Sequence, residues 1–182
     1  GMSSLRPSNS NKPGKGIGQG MLVISFVIVL AGLTFFFNGK LEQQRNPNRN
    51  PDSMVLLSGI REVVLEQNRK GHYVAGGKVN GVPVTFLLDT GATDVAVPES
   101  IALQAGLERG NASFAATANG IVTVYSTRIN ELVLGNIVLK DINASITTSM
   151  VGNTILLGMS ALKQIEFTQR GTTLTLHHIP ET

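Results

Sequence analysis

Residues 86–93, Phe-Leu-Leu-Asp-Thr-Gly-Ala-Thr, place an acid directly between an apolar run and a tight turn. The apolar residues predict a buried β-strand, and Asp-Thr-Gly predicts that this strand ends at an interior turn that carries Asp89. An ionised Asp is rarely buried without a partner, so a carboxylate in this position needs a chemical or structural reason. Asp-Thr-Gly occurs once in the 182 residues. The motif therefore predicts a β domain in which one carboxylate, that of Asp89, lies at an interior turn.

Turn signals divide the rest of the chain into short strands. Asn-Gly at 80–81 and 119–120 and Arg-Gly at 170–171 each separate two β-rich runs. Asn-Gly is preferred in two-residue hairpin turns because both residues tolerate positive φ. The expected strands are 72–80, 82–88, 114–118, 121–125, 124–134, 137–146, 166–168 and 174–176, and the expected short helices are 101–105 and 158–164. These elements predict an all-β fold, a small closed β-barrel with one or two short helices.

Residues 21–37 carry no charged side chain. At about 1.5 Å per residue, a helix of this length spans roughly 25 Å, close to the lower limit for crossing a bilayer. A buried core helix of a soluble protein would have a polar face, which this segment lacks. A cleaved signal peptide would end in small residues, whereas this segment ends in three phenylalanines, residues 35–37. We therefore expect a single uncleaved transmembrane helix.

The apolar segment divides the chain into four expected parts. These are a polar tail (1–20), a transmembrane anchor (21–37), a flexible linker (38–53) and a folded domain (54–182). The linker is polar throughout except for Leu41, and such a segment buries too little surface to offset its ordering entropy. Lys and Arg are equally numerous on both sides of the anchor, but only those on the N-terminal side have no acid among them. We expect the tail in the cytoplasm and the domain exported.

Charge and residue usage argue against two classes of partner. Beyond residue 54 the charges are mixed, and no aromatic residues alternate with Lys or Arg, so no nucleic-acid partner is expected. The chain has no Cys, and the adjacent His177 and His178 would point to opposite faces of a strand. Because His72 is the only other histidine, we expect no metal site and no cofactor.

Two further elements follow Asp89 in order. The Asn119-Gly120 hairpin comes about 30 residues later, and Ile-Leu-Leu-Gly at 155–158 leads into a short helix about 69 residues after the Asp. This order resembles the retropepsin-like aspartic peptidases, whose pattern is an apolar Asp-Thr/Ser-Gly strand, a flap hairpin, and two apolar residues and Gly before a helix. The resemblance covers about residues 73–176. Together with the apolar segment, it is closest to the membrane-anchored bacterial members, which implies an inner-membrane protein with a periplasmic peptidase domain.

The resemblance also implies roles for individual residues. Asp89 would be the catalytic acid and base, Thr90 would brace the active site across a dimer, and Gly91 would let the backbone approach the Asp. Ala92 stands where pepsin-like enzymes often have Ser, and the absence of that hydroxyl predicts activity from mildly acidic to near-neutral pH. The other implied site residues are Thr93 beside the turn, Asn119, Gly120 and Ile121 in the flap, and Leu156, Leu157 and Gly158 packed beneath the turn.

Peptide hydrolysis of this kind needs a base to activate water and an acid to protonate the leaving group. Aspartic proteases are the established case in which two neighbouring carboxylates share one proton and supply both roles. Asp94 and Asp141 are poor partners for Asp89 because they lie in other expected strands. A symmetric homodimer supplies the second copy of Asp89, and polypeptide is the implied substrate. In this family, strands from the chain ends usually seal the dimer, and residues 174–179 are a candidate.

Two alternatives stay open at this level. The domain can be a non-catalytic peptide-binding module on the same fold, tethered to the membrane. It can also be a periplasmic scaffold in which Asp89 merely caps its own turn, as Asp often does. Dimerisation and sensitivity to Asp89→Asn distinguish the peptidase from both.

Overall fold

The computed structural model describes residues 15–118 and 120–180. Within this part of the chain, helix α1 (Lys15–Arg45) is the one helix long and apolar enough to cross a membrane, by length and composition alone. The expected anchor, 21–37, lies within it. Of the expected polar tail, residues 1–14 lie outside the described residues, and the rest is the start of α1.

Residues 38–53 depart from the flexible linker that the sequence predicts. Helix α1 continues to Arg45, and Asn48 is buried, with a 6% exposed fraction. Its side-chain amide donates to the carbonyl oxygens of Glu66 at 2.8 Å and Val74 at 2.9 Å, and its Oδ1 accepts the Glu66 N–H at 2.8 Å. A polar segment can be ordered when backbone groups satisfy its amides, and residue hydrophobicity gives no sign of that.

Glu42–Thr182 forms one compact unit, and it is mostly β structure. Its strands in chain order are β1 (Asp52–Val55), β2 (Arg61–Glu66), β3 (Val74–Val79), β4 (Val82–Leu88), β5 (Val95–Pro98), β6 (Ala112–Thr117), β7 (Gly120–Leu134), β8 (Ile137–Thr147), β9 (Thr154–Leu157), β10 (Glu166–Arg170) and β11 (Thr173–His178). The predicted all-β class is confirmed.

Six of these strands close into a barrel. They pair in the order β3-β4-β9-β5-β8-β7, and β7 then pairs back onto β3, with Val79 opposite Leu132. The close approach at this seam depends on Gly77, because a Cβ there would overlap the Val133 carbonyl oxygen and the Phe86 ring. Inward-facing Val, Ile and Leu from all six strands fill the interior, and Phe86 of β4 is fully buried among them.

The hairpin from β3 to β4 turns at Asn80 and Gly81, whose φ angles are +47° and +80°. Positive φ at both turn residues is the geometry that the Asn-Gly pair predicts. The short helices are α2 (Glu99–Gln104) and α3 (Met159–Leu162). Helix α2 begins two residues before its expected start, and α3 has one turn instead of the two expected over 158–164, with Gly158 as its N-cap residue.

The other four strands form a second, open sheet in the order β1-β2-β11-β10. All of its pairings are antiparallel. The domain therefore begins at least two residues before the expected residue 54, since β1 starts at Asp52. Residues 174–179, expected as a candidate for sealing a dimer, largely form β11, which is flanked on both sides by β2 and β10. A strand already paired at both edges has no free edge for a second chain.

Candidate active site

The Asp-Thr-Gly segment forms a tight turn at the end of β4. The backbone N–H of Asp89 donates to the Leu157 carbonyl oxygen at 3.0 Å, which ties the start of the turn to β9. Oδ1 of Asp89 accepts the Gly91 N–H at 2.8 Å, and the Ala92 N–H donates to the Asp89 carbonyl oxygen at 3.3 Å. The turn therefore fixes one carboxylate oxygen through its own backbone.

Strand β9 supports the turn from the neighbouring position in the barrel. β4 and β9 are parallel, so Leu88 and Leu157 lie side by side and both strands end at the same level. Of the residues expected beneath the turn, Leu157 is fully buried and Leu156 is half-buried. A Cβ on Gly158 would overlap the Asp94 carbonyl oxygen and would lie 2.8 Å from that of Ala92. Only glycine lets the chain after β9 pass this close to the loop formed by residues 89–94, which we call the Asp loop.

Backbone N–H groups at the start of α3 also donate hydrogen bonds to the same loop. The Met159 N–H donates to the Ala92 carbonyl oxygen and the Ser160 N–H to that of Thr93, both at 2.8 Å. These bonds use backbone donors that a helix start leaves unpaired. The segment that the sequence expects beneath the turn, 156–158, and the support residues 90–93 are thus brought together by parallel pairing and by the helix start.

Ser160 is a site residue that the sequence analysis missed. Its hydroxyl donates to the Asn143 carbonyl oxygen at 2.7 Å and accepts the Val95 N–H at 3.1 Å. It thereby joins α3 to β8 and to the strand that follows the Asp turn. A single Ser carries no recognisable sequence signal, and only its position two residues after Gly158 could have drawn attention to it.

The turn lies nearer the surface than the sequence predicts. In the single chain Asp89 is half-buried, while Thr90 and Gly91 are exposed. Oδ1 of Asp89 accepts the Gly91 N–H, whereas Oδ2 has no hydrogen-bond partner among the described residues. The carboxylate is thus held at one oxygen and open at the other. Such a group can accept a proton, bind water or contact a second carboxylate.

The expected flap is a β-hairpin of β6 and β7. It is closed by the pair Thr117–Gly120, so Gly120 is the first residue of β7 and not the second residue of the turn. Asn119 lies outside the described residues. Ile121 and Phe114 are 77% and 80% exposed. The hairpin therefore presents two large apolar side chains that the single chain leaves uncovered.

The structure does not join the other candidate carboxylates to Asp89. Asp94 Oδ2 accepts the Ser145 hydroxyl at 3.3 Å, and Asp141 lies on β8 with a φ of +52°. In the described part of the chain, no group of three or more His, Cys, Asp or Glu side chains is arranged to hold a metal ion. The acid–base chemistry available at this turn is that of Asp89.

The chain matches the family model described as "gag-polyprotein putative aspartyl protease" over residues 75–164, which include the Asp turn, the flap hairpin and Gly158. It is also similar to the crystal structure of a retropepsin-like aspartic protease from Rickettsia conorii, with a TM-score of 0.54 and 25% identity over 70% of this chain and 94% of that one. The chain belongs to the retropepsin-like aspartic proteases. Its closed barrel is the retropepsin-like fold, and this fold supports a protease function.

Two bacterial proteins are related to this retropepsin-like chain in sequence. An uncharacterized protein encoded in the cobV 5′ region of Sinorhizobium sp is 32% identical over 117 residues. The uncharacterized protein RP867 of Rickettsia prowazekii (strain Madrid E) is 25% identical over 149 residues. The aligned parts cover 63% and 80% of this chain, but they span only 50% and 64% of the lengths of those relatives.

Proposed function

We propose that this protein is a membrane-anchored aspartic endopeptidase whose catalytic dyad consists of Asp89 from each subunit of a homodimer. The observation that carries the proposal is the Asp turn, which β9, Gly158 and α3 hold rigidly while Oδ2 of its carboxylate stays open. A fixed backbone under an accessible carboxylate is what positioned acid–base catalysis requires. A turn that served only to end a strand would not need support from two other elements.

The dyad would divide the work between its two carboxylates. With one proton shared between them, the ionised carboxylate removes a proton from water, which then attacks the peptide carbonyl carbon. The protonated carboxylate donates a hydrogen bond to the carbonyl oxygen, and the proton taken from water reaches the leaving nitrogen. Each subunit would contribute the Gly91 N–H to its own Oδ1, at the observed 2.8 Å, which keeps both carboxylates in one orientation.

The shape of the single chain supports a second subunit. Two surface concavities, of about 450 and 620 Å³, are lined by residues such as His177 and Arg109 and include no residue of the Asp turn and none of residues 112–125 of the flap hairpin. The turn itself is exposed at Thr90 and Gly91. A site that must exclude water during hydrolysis therefore needs a cover that this chain does not provide at the turn.

An extended polypeptide is the proposed substrate. The flap hairpin offers strand edges for main-chain hydrogen bonds, and pockets would read alternate side chains of a bound strand. The exposed Phe114 and Ile121 would pack on the substrate when the flap closes, which excludes water from the dyad. Helix α1 would anchor the enzyme in the inner membrane with its N-terminal end in the cytoplasm and the peptidase domain in the periplasm.

The full chain in detergent micelles, incubated with a mixed peptide library from pH 3 to 7, tests the proposal. We expect cleavage by the parent protein, inhibition by a statine-type transition-state mimic, and a loss of at least about 1,000-fold in rate for Asp89→Asn, because the dyad loses its general base. Asp141→Asn is the matched control. It makes the same chemical change at a position whose positive φ suits Asn, and it should retain full activity.

Cleavage that survives Asp89→Asn would contradict the proposal. The absence of cleavage by a parent protein that sedimentation shows to be a dimer would instead favour the peptide-binding module. Binding of library peptides without hydrolysis would identify that function directly.

A further inference from the structure

We propose that the outer edge of β10 is the surface through which two copies of this chain pair, in an antiparallel register centred on Thr168. The inference rests on the homodimer of the proposed function and adds to it a specific interface. The partner is a second copy of this chain.

Strand β10 is the last strand of the open sheet. In the sheet order β1-β2-β11-β10, its one strand partner among the described residues is β11. All five of its residues, 166–170, are exposed. An edge strand presents unpaired N–H and C=O groups along its whole length and is a template for another strand. β10 contains no Pro or Gly that would prevent such pairing.

The apolar face of the open sheet extends as far as β10, where it is partly exposed to solvent. Cross-strand partners share one face of a sheet, and Phe167 is paired with Leu176. Leu176 is fully buried, whereas Phe167 is 42% exposed. In the proposed register, Phe167 and the partner's Phe167 are diagonal neighbours on this face, within reach of aromatic side chains. The apolar layers of the two sheets would then join across the interface.

The charges along β10 are complementary to themselves. An antiparallel pair centred on Thr168 places Glu166 opposite the partner's Arg170, and symmetry repeats this contact at the other end. No other residue of β10 can serve as the centre and bring Glu166 and Arg170 together. Opposite charges placed directly across a strand pair stabilise it, and like charges destabilise it. The other edge, β1, has Asp52 as its only charged residue and lacks this complementarity.

This edge is connected closely to the candidate active site. β10 begins four residues after α3 ends, and α3 begins with the two hydrogen bonds to the Asp loop at Ala92 and Thr93. Leu162 and Ile165, in and after α3, are both buried in the barrel core. The proposed contact at Thr168 is therefore joined to the Asp turn of the same chain through a short and well-packed element.

Cysteine cross-linking tests the register, because the chain has no Cys and each variant carries a single thiol. Residues directly opposite in an antiparallel pair lie about 4.5–5.5 Å apart at Cα, within the range of a disulfide. The full chain carrying Thr168→Cys, in micelles under mild oxidation, should form a covalent dimer. Met54→Cys on the exposed edge of β1 is the control, and we expect at least about tenfold less cross-linking there.

Charge exchange provides the second test. In the Thr168→Cys background, Glu166→Arg or Arg170→Glu alone should lower the rate of cross-linking severalfold, since each places like charges opposite each other at two points. The double variant, with both changes, restores opposite charges and should recover cross-linking. Circular dichroism and maleimide labelling of each variant check that the domain is folded and the thiol accessible.

Three results would overturn the interface. They are the absence of a Thr168→Cys dimer although the thiol is labelled, equal cross-linking at Met54→Cys, and a double variant no better than the singles. Assaying the parent protein for peptidase activity alongside the Thr168→Cys cross-linking separates this inference from the proposed function. A dimer without peptidase activity would leave the interface standing and reject the enzyme, and peptidase activity without this dimer would do the reverse.

Discussion

The closed barrel and the open four-stranded sheet are both built from β-strands, but only the open sheet has free edge strands. In the barrel, β3 pairs with both β4 and β7, so the ring of six strands has no free edge. In the open sheet, β1 and β10 each have one strand partner among the described residues, and most of their side chains are exposed. The strands of the barrel therefore find hydrogen-bond partners on both sides within the ring, whereas the open sheet has two edges with unpaired backbone groups.

The difference separates two tasks. A rigid closed barrel can hold a carboxylate in one position, because the strands on both sides of β4 are themselves fixed. An open sheet can receive another strand, because its edge groups gain hydrogen bonds only when a partner arrives. The Asp turn lies at the end of barrel strands, and the proposed dimer contact lies on the open sheet.

The largest effect is expected at the barrel position where the backbone passes over Gly158. In Gly158→Ala, the added Cβ would overlap the Asp94 carbonyl oxygen, and neither backbone can move without disturbing the Asp turn. We expect a loss of more than about 4 kcal/mol in unfolding free energy, together with loss of peptidase activity. Urea denaturation of the full chain, followed by circular dichroism, measures the stability.

Gly171→Ala in the open sheet is the matched control for this substitution. Gly171 has a φ of +60° but open space around it, so the change costs only the backbone preference, about 1–2 kcal/mol. Equal losses for the two variants would contradict the assignment of Gly158 to a steric role.

The next effect compares the same substitution in both regions. Phe86→Ala empties a fully buried position in the barrel, and we expect a loss of about 3–5 kcal/mol at any protein concentration. Phe167→Ala removes a side chain that is 42% exposed at the open edge, and about 1–2 kcal/mol should be lost from the single chain. Thermal unfolding at two protein concentrations measures both.

A dimer that covers Phe167 makes the loss at that position larger at high protein concentration, because association stabilises the folded state by mass action. A concentration-independent loss at Phe167 would weaken the comparison. A concentration-dependent loss at Phe86 alone would reverse it.

A smaller effect is expected at Asn48, which joins the two regions. Its side chain bonds to Glu66 on β2 of the open sheet and to Val74 on β3 of the barrel. Asn48→Ala leaves these buried backbone groups without partners and should cost about 2–3 kcal/mol. Hydrogen exchange should speed up at Glu66, whose N–H is bonded to Asn48. Asn48→Asp should be at least as damaging at neutral pH, since its carboxylate would face two carbonyl oxygens.

Local sequence signals predicted much of the fold because they depend on neighbouring residues. Asn80-Gly81 specified a hairpin turn, and the apolar residues before Asp89 specified a strand that ends at the turn. The apolar run at 21–37 likewise specified a long helix. The same reasoning failed at 38–53, where the order of the segment comes from backbone groups of Glu66 and Val74 that are distant in sequence.

The candidate site shows the same division. The sequence identified Asp89, Gly91 and Gly158 as belonging together, because their spacing resembles a known family. It gave no sign of Ser160, whose hydroxyl connects Asn143 to Val95 only after three separate elements have packed. It also predicted an interior turn, while the single chain leaves Thr90 and Gly91 exposed.

By itself, the sequence determined most of the strands, several of their turns, the apolar helix and the single Asp-Thr-Gly motif, since short-range periodicity and turn chemistry encode these features locally. It did not predict β1 or β2. Only the tertiary structure decided which strands close into the barrel, that Gly158 must lie against the Asp loop, and that β11 is enclosed while β10 forms an edge. Those outcomes depend on contacts between residues far apart in the chain, and no local pattern records which distant backbone will pass nearby.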